Sequence, residues 1–294
     1  MGLPEPPPAG STFLPPGTFD GVTAVVTGGG TGLGKAIAIE LARAGASIGI
    51  ISRSEDHRRA GVEAVAAVGA RSAHAAADIR EPEEITQAFD VIANELGTPT
   101  VLVNNAAANF PVLAATMRPN AFRSVTNIVM DGTFFCSQEL HRRVTTDGLP
   151  GGAILNILAT QSFTGGPGMA HASAAKAAVG NLTKSLAVEW APDAVRINAL
   201  APGLFPHEDM REDLKALRPD GEDVDARRSP AGRLGRVHEL GWAAAWLCSP
   251  YASFVTGHTL VVDGANWLRR DFVMPPFTPI SEQLDSVLRP AAPS

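Results

Sequence analysis

The sequence predicts an α/β fold with a single Rossmann-type doubly wound parallel sheet and helices on both faces. Short apolar, β-branched runs alternate with longer segments whose apolar residues recur at helical spacing. The apolar runs are nearly continuous, which is typical of parallel strands covered on both faces. A glycine-rich turn joins the first run to the first helical segment, and right-handed crossovers then favour the doubly wound topology.

The elements follow one another regularly from residue 21 onward. Strands are predicted at Thr23–Thr27, Ala46–Ser52, Ser72–Ala77, Thr100–Val103, Gly152–Leu158, Ala194–Leu200 and Thr259–Val262. After the helix that leaves the glycine turn, helices are predicted at Asp56–Val68, Glu83–Leu96, Pro119–Thr146, Ala172–Ala191 and Val237–Leu247. Because no repeat or central linker interrupts this alternation, residues 21–266 are expected to form one domain.

Composition narrows the classes of partner. The chain has 294 residues, 45% of them hydrophobic, and a formal net charge of -6. An acidic balance without a basic run disfavours nucleic acid, and no apolar run reaches the roughly 18 residues of a membrane span. Cys136 and Cys248 lie far apart without a C-x-x-C, so neither a disulfide framework nor a metal site is predicted. Two unpaired thiols suit a reducing compartment, and we expect a cytoplasmic protein.

The two ends differ from the predicted domain in composition. Residues 1–20 form a proline-rich N-terminal arm without lysine or arginine, unlike secretory and mitochondrial signals. Residues 267–294 form a C-terminal extension that ends RPAAPS, which is not a peroxisomal address. Neither end is expected to carry catalysis.

The glycine turn predicts a dinucleotide site. Gly28, Gly32 and Gly34 have the spacing G-x-x-x-G-x-G, with Thr31 and Leu33 between them. A strand precedes the turn and a helix follows it, which is the context that confirms this motif. Backbone N–H groups and the positive end of the helix would then face a pyrophosphate.

The residues after the second strand predict the cofactor type. Ser52 and Arg53 stand where an NAD-binding protein would offer a carboxylate to the ribose 2′-hydroxyl. A hydroxyl and a cation suit a 2′-phosphate instead, which indicates NADP(H). The alternative is a solvated surface arginine.

Three further loops follow strand ends at the same edge of the sheet, where ligands of such folds bind. One offers a polar-apolar pair for an adenine, one offers small residues that allow close approach, and one offers a turn that would flank a nicotinamide. In this order the cofactor residues are Asp78 and Ile79, then Asn105, Ala106 and Ala107, then Pro202, Gly203 and Leu204.

These residues together resemble the short-chain dehydrogenase/reductase family over nearly all of residues 21–265. The family's glycine motif matches Thr27–Gly34, and its Asn-Asn-Ala-Gly turn matches Asn104–Ala107 with alanine as the last residue. Its lysine matches Lys176. The resemblance implies the fold, a nicotinamide cofactor whose ribose hydroxyls Lys176 holds, and a homotetramer or homodimer.

The family's other catalytic residues are replaced. The resemblance places its tyrosine on Ala172, its serine on Ala159 and its asparagine on Val129. The single tyrosine of the chain, Tyr251, lies near the end. Reduction of a ketone makes a basic alkoxide that an adjacent acid must protonate. Ordinary carbonyl–alcohol chemistry is therefore disfavoured.

One branch of the family dispenses with that tyrosine, the 2,4-dienoyl-CoA reductases. The segments similar to that branch are TGGGTGLGK from Thr27, the Ser52–Arg53 pair, NNAAANF from Asn104, RPNAF from Arg118 and HASAAKAAVGNLTKSLAVEW from His171. In that chemistry hydride goes to the far end of a conjugated thioester, as in fatty acid metabolism. The thioester oxygen then needs hydrogen-bond donors while a proton reaches carbon, for which water serves.

The resemblance also assigns candidate catalytic roles. Lys176 would lend positive charge. Asp131 stands where mitochondrial-type members place a catalytic asparagine, and it would act if protonated or through a water. Its alternative role is a helix carboxylate with a structural partner. Gln161 could donate its amide to the oxyanion or only line the pocket, and His171 is expected to be a pocket-wall or core histidine.

The same resemblance assigns substrate contacts. Phe110 and Arg118 correspond to acyl-CoA contact positions, and Arg118 could meet a CoA phosphate or remain a surface arginine. The charged segment at about 205–228 is expected to be a substrate lid. Its many carboxylates argue against a CoA phosphate site nearby.

Three functions therefore stay open from the sequence. The first is an NADPH-dependent reductase of a 2,4-dienoyl-CoA or related enoyl thioester. The second is a divergent family member that acts on another carbonyl, alcohol or acyl substrate, with Gln161, Ser162 or Asp131 in place of the tyrosine. The third is a catalytically silent NADP-binding member, which the replaced residues favour and Lys176 argues against.

Overall fold

Seven parallel strands form one sheet in the computed structural model, which describes residues 2–210, 215, 221–269 and 278–284. The strands are β1 (Thr23–Thr27), β2 (Ser47–Ile51), β3 (Ser72–Ala75), β4 (Val101–Asn104), β5 (Gly152–Ile157), β6 (Val195–Pro202) and β7 (Thr259–Val262). Their spatial order is β3-β2-β1-β4-β5-β6-β7, with every neighbouring pair parallel. The order switches direction between β1 and β4, which opens a crevice at their carboxyl ends. The predicted fold class is confirmed.

Helices cover both faces of this sheet. The described α-helices are α1 (Gly32–Arg43), α2 (Glu55–Ala66), α3 (Pro82–Leu96), α4 (Pro119–Thr126), α5 (Gly132–Thr146), α6 (Gln161–Thr164), α7 (Ala170–Trp190), α8 (Glu222–Arg228), α9 (Val237–Cys248) and α10 (Ile280–Gln283). Within the described ranges, no helix combines the length and apolar character needed to cross a bilayer.

Alternation along each strand divides the interior into two cores. Ala24 and Val26 of β1 belong to a cluster with α1 and α9, whereas Val25 belongs to a cluster with α3, α5 and α7. Successive side chains of a strand point to opposite faces, so a strand buried on both sides must be apolar throughout. This requirement explains the continuous apolar runs of the sequence.

The helix predicted over Pro119–Thr146 is interrupted. A π-helical turn at Asn127–Asp131 separates α4 from α5. Gly132 follows this turn and packs on Ile79, since a Cβ on Gly132 would lie 2.6 Å from the Ile79 Cδ1 atom. The close approach needs glycine, and the widened turn places Asp131 directly before it. Such turns are frequent at functional sites.

A buried chain of polar side chains links the sheet to two helices. Asn104 Nδ2 donates to Asn156 Oδ1 and to Ser137 Oγ, at 2.9 Å each. Asn156 Nδ2 donates to Thr183 Oγ1 at 3.0 Å. These hydrogen-bonded side chains join β4 and β5 to α5 and α7. They thereby fix α7 on the sheet.

Replacing Asn156 with leucine is expected to lower the free energy of unfolding by about 2 kcal/mol, because the buried partners on Asn104 and Thr183 lose a hydrogen bond. Urea denaturation followed by circular dichroism measures the change. Asn120→Ala, at an exposed site in α4, is the control. Equal stability of N156L and the native protein would contradict a stabilising role for these buried hydrogen bonds.

The N-terminal arm lies along α9 of the same chain. Leu3 N–H donates to the Ala231 carbonyl at 2.7 Å, and Glu5 accepts two hydrogen bonds from Arg236, at 2.9 Å each. Farther along, the rings of Phe13 and Trp242 stack with centroids 5.7 Å apart. The C-terminal extension falls largely outside the described residues, which resume only at 278–284.

Candidate cofactor and active site

The turn after β1 has the shape that a diphosphate requires. Gly28 and Gly32 have φ angles of 65° and 52°, in the left-handed region that favours glycine. A Cβ on Gly34 would collide with the Asn105 amide and with the carbonyl oxygen of Gly28. The residues present therefore fit a dinucleotide, because the glycine turn leads into the N-terminus of α1, where backbone N–H groups can bind an anion.

Thr27 ties the glycine turn to the loop after β4. Its hydroxyl oxygen accepts hydrogen bonds from the N–H groups of Asn105 and Ala106, at 3.0 Å each. The Asn105 amide donates back to the carbonyls of Thr27 and Gly28, at 3.1 and 3.2 Å. Thr27 was not singled out from the sequence, although a hydroxyl at the end of an apolar strand is the signal for it.

The Ser52–Arg53 loop is held from beneath by a buried arginine. Arg58 Nη1 donates to the carbonyls of Ser52 and Arg53, at 2.8 Å each. The Arg53 side chain is 63% exposed and its Nη1 lies 3.5 Å from Asp78 Oδ2. Hydrogen bonds from Arg80, with the charges of Arg80 and Arg53, lower the pKa of Asp78 to about 2. Cations thus surround the predicted ribose end of the site.

Lys176 projects from α7 toward the end of β5. Its ammonium donates to the carbonyl of Ile157, and burial lowers its pKa to about 8. Ala172, one turn earlier on α7, is buried and carries no polar group. Tyr251 lies in a short 3-10 turn after α9 and is exposed. Lys176 thus has a buried, apolar alanine one helical turn before it.

The elements around α7 carry the other candidate catalytic residues. α7 packs against the π-helical turn that ends at Asp131 and against α6, which begins at Gln161. Asp131 is half-buried. Gln161 faces Gly166, where a Cβ would lie 2.9 Å from the Gln161 Oε1 atom. The geometry brings both elements to α7, the helix that carries Lys176, while the catalytic roles stay predictions.

Phe110 and His171 form one wall beside this region. Their rings meet edge to face with centroids 4.6 Å apart. His171 is fully buried, its Nδ1 accepts the Ala172 N–H at 2.8 Å, and burial lowers its pKa. A fully buried histidine is consistent with the core alternative for His171. Arg118 is exposed at the start of α4.

The segment after β6 reaches the glycine turn. β6 extends two residues beyond the predicted end, to Pro202, and Gly203 then packs against Asp263. Residues 207–209 lie on the first turn of α1, where Gly32 N–H donates to Asp209 Oδ2 at 2.8 Å. Of the predicted lid, residues 211–214 and 216–220 lie outside the described residues.

A cavity of about 650 Å³ lies next to β7. Leu3 of the arm, Leu204, Arg228, Arg233 and Trp267 are among its lining residues. Neither Lys176 nor Phe110 lines it, so the cavity is separate from the lysine site.

The lowered pKa of Lys176 predicts opposite pH trends for turnover and for the free energy of unfolding. Its pKa is lowered from 10.5 to about 8, so the ammonium loses its charge as pH rises through 8. Turnover at saturating cofactor should fall above about pH 8. Between the two pKa values the folded state binds fewer protons than the unfolded state, so this group adds stability as pH rises. Rate and urea-unfolding profiles over pH 7–10 test this, and parallel losses would contradict it.

A family model described as Enoyl-(Acyl carrier protein) reductase matches residues 28–265. Peroxisomal 2,4-dienoyl-CoA reductase, (3E)-enoyl-CoA-producing, from Mus musculus is 38% identical over 278 residues, which are 91% of this chain and 94% of the relative. A Bacillus subtilis protein named probable 2,4-dienoyl-CoA reductase, (2E)-enoyl-CoA-producing, is 34% identical over 249 residues, covering 83% of this chain and 96% of that protein.

Among solved structures, gluconate 5-dehydrogenase from Burkholderia cenocepacia, in complex with NADP and tartrate, is similar in fold. The TM-score is 0.78 at 34% identity, over 85% of this chain and 97% of the other.

Proposed function

Because the chain belongs to the short-chain dehydrogenase/reductase family, we propose that this oxidoreductase uses NADPH to reduce a 2,4-dienoyl-CoA or a related enoyl thioester. The observation that carries the proposal is a partly buried lysine without a neighbouring tyrosine on its helix: the Lys176 ammonium bonds to the Ile157 carbonyl, and the buried residue one turn before it is Ala172. The similarity to dienoyl-CoA reductases along nearly the whole chain supports the same substrate class.

The chemistry of the thioester explains how such a site suffices. When bound, NADPH supplies a hydride to the far carbon of the diene, and the electron pair moves to the thioester oxygen. A proton from water then reaches carbon, so dienoyl-CoA, NADPH and a proton give enoyl-CoA and NADP⁺. What the protein must provide is positive potential and donors at the oxygen.

The residues that we assign to that task lie on α7 and on elements that pack against it. The Lys176 ammonium supplies charge and holds the ribose hydroxyls. The Gln161 amide donates to the thioester oxygen, and Asp131 orients the water that delivers the proton. Their elements pack against α7, which supports the assignment. Phe110 contacts the acyl group, and the exposed Arg118 receives a CoA phosphate.

For the cofactor we propose NADP(H). Ser52 and Arg53 would hold the 2′-phosphate, with Arg58 fixing their backbone. Asp78 and Ile79 border the adenine, and Pro202, Gly203 and Leu204 border the nicotinamide. The diphosphate lies on the glycine turn beside Asn105, Ala106 and Ala107.

The direct test mixes the purified protein with NADPH and 2,4-dienoyl-CoA esters of several chain lengths. Loss of NADPH absorbance is expected, and mass spectrometry with proton NMR of the product places the remaining double bond. Oxidation of NADPH by ketones without any CoA ester would favour the divergent reductase. Tight NADPH binding without turnover on any substrate would favour the silent member.

Assembly and location complete the proposal. We propose a homotetramer or homodimer, which sedimentation velocity tests. A cytoplasmic location is supported by two buried, unpaired cysteines, Cys136 and Cys248. Since relatives are described as peroxisomal, fractionation of the tagged full chain must separate the two compartments.

A further inference from the structure

An acidic segment occupies the place where the cofactor diphosphate is expected. Asp209 Oδ2 accepts the N–H of Gly32 at 2.8 Å and lies 3.0 Å from the Lys35 Nζ. Glu208 Oε1 lies 2.7 Å from the same ammonium. The contact joins residues that are 177 positions apart in sequence, so the segment is folded back onto the turn.

These contacts are the ones an anionic ligand would make. A helix N-terminus offers unpaired N–H groups and a positive dipole end, and a carboxylate satisfies both as a phosphate oxygen does. Burial alone would raise the pKa of Asp209, but its bonds to Gly32 and Lys35 outweigh burial and lower the pKa. The group is therefore an anion at neutral pH.

The imidazole of His207 adds a second obstacle at the same point. A Cβ on Gly32 would lie 2.8 Å from the His207 Cε1 atom, so the ring covers the turn. A diphosphate and this arrangement of residues 207–209 cannot share the space over Gly32.

We propose that Asp209 is an internal competitor for the cofactor diphosphate, so that NADP(H) binds only by displacing it and Asp209 sets the cofactor affinity. The proposal rests on the dinucleotide site of the proposed function. Apparent affinity falls by the fraction of molecules in which the turn is free. Removing the carboxylate therefore tightens binding instead of weakening it.

Replacing Asp209 is expected to change the cofactor affinity more than replacing Glu208. The Asp209 side chain is 27% exposed and contacts both Gly32 and Lys35. The Glu208 side chain is 79% exposed and pairs with the Lys35 ammonium. An exposed ion pair contributes little, so Glu208 should matter less.

The test is titration of NADPH and NADP⁺ by cofactor fluorescence and calorimetry. Asp209→Asn is expected to lower the dissociation constant roughly tenfold, as loss of one charge-assisted hydrogen bond implies. Glu208→Gln should give less than about threefold. Adenosine 2′-phosphate, which lacks the diphosphate, should bind equally to all variants. Glu189→Gln removes an exposed carboxylate on α7 and is the matched control for net charge.

Three results would contradict the proposed competition. If the native protein binds NADPH and D209N binds it equally or more weakly, Asp209 is not a competitor. The proposed function is not affected by that result. No NADPH binding by either the native protein or D209N removes both. An equal gain in E189Q would assign the effect to overall charge and contradict the specific contact.

Discussion

Lys176→Ala is expected to lower turnover by roughly three orders of magnitude, the cost of removing a group that stabilises developing charge in a closed site. The Lys176 ammonium is the positive group that the structure places at the end of β5, bonded to the carbonyl of Ile157. Single-turnover oxidation of NADPH by a dienoyl-CoA measures the loss. Cofactor affinity should fall as well, because the same group would hold the ribose hydroxyls.

The stability of this variant separates mechanism from misfolding. Burial disfavours the charged lysine, so K176A should unfold at the same temperature as the native protein or at a higher one. Lys184→Ala, on an exposed face of the same helix, should retain full activity. A near-native rate for K176A would remove the lysine from the mechanism.

Arg53→Ala is expected to raise the dissociation constant for NADPH by roughly 10- to 100-fold and to change that for NADH by less than about threefold. Only NADPH carries the 2′-phosphate that the guanidinium would bind. Arg53 is 63% exposed with a single carboxylate at 3.5 Å, so it is free to turn toward a ligand. Competition titrations with both cofactors measure the ratio.

Arg59→Ala is the matched control, since Arg59 is an exposed cation on α2 whose ion pairs lie on the same helix. Equal losses of NADPH and NADH affinity in R53A would show that Arg53 does not read the phosphate. In that case Arg80, which binds Asp78 nearby, is the next cation to replace.

The sheet could be predicted because its strands are buried on both sides. Full burial makes each strand a continuous apolar run, and the glycine turn fixes where the first one ends. The prediction failed where local backbone geometry departs from a regular helix. The π-helical turn before Gly132 keeps helical spacing in its side chains, so the periodicity of Pro119–Thr146 does not reveal it.

The cofactor loops could be placed because each follows a strand end, but their partners could not. Asn105 was assigned by its loop, whereas its hydrogen bond to the Thr27 hydroxyl is visible only in three dimensions. Asp209 was assigned to a lid by its charge. Its contact with Gly32 spans much of the chain, and no local pattern encodes such a pairing.

The N-terminal arm can dock on the domain only late in the synthesis of the domain. Glu5 and Arg236 are 231 positions apart, so the arm can meet its partners only when α9 has been made. Domains fold from the N-terminus as they emerge, and pairings this distant form slowly. The nascent chain is thus expected to hold a free arm until α9 has emerged. Premature termination before α9 would leave that arm, and Phe13 with it, without its docking helix.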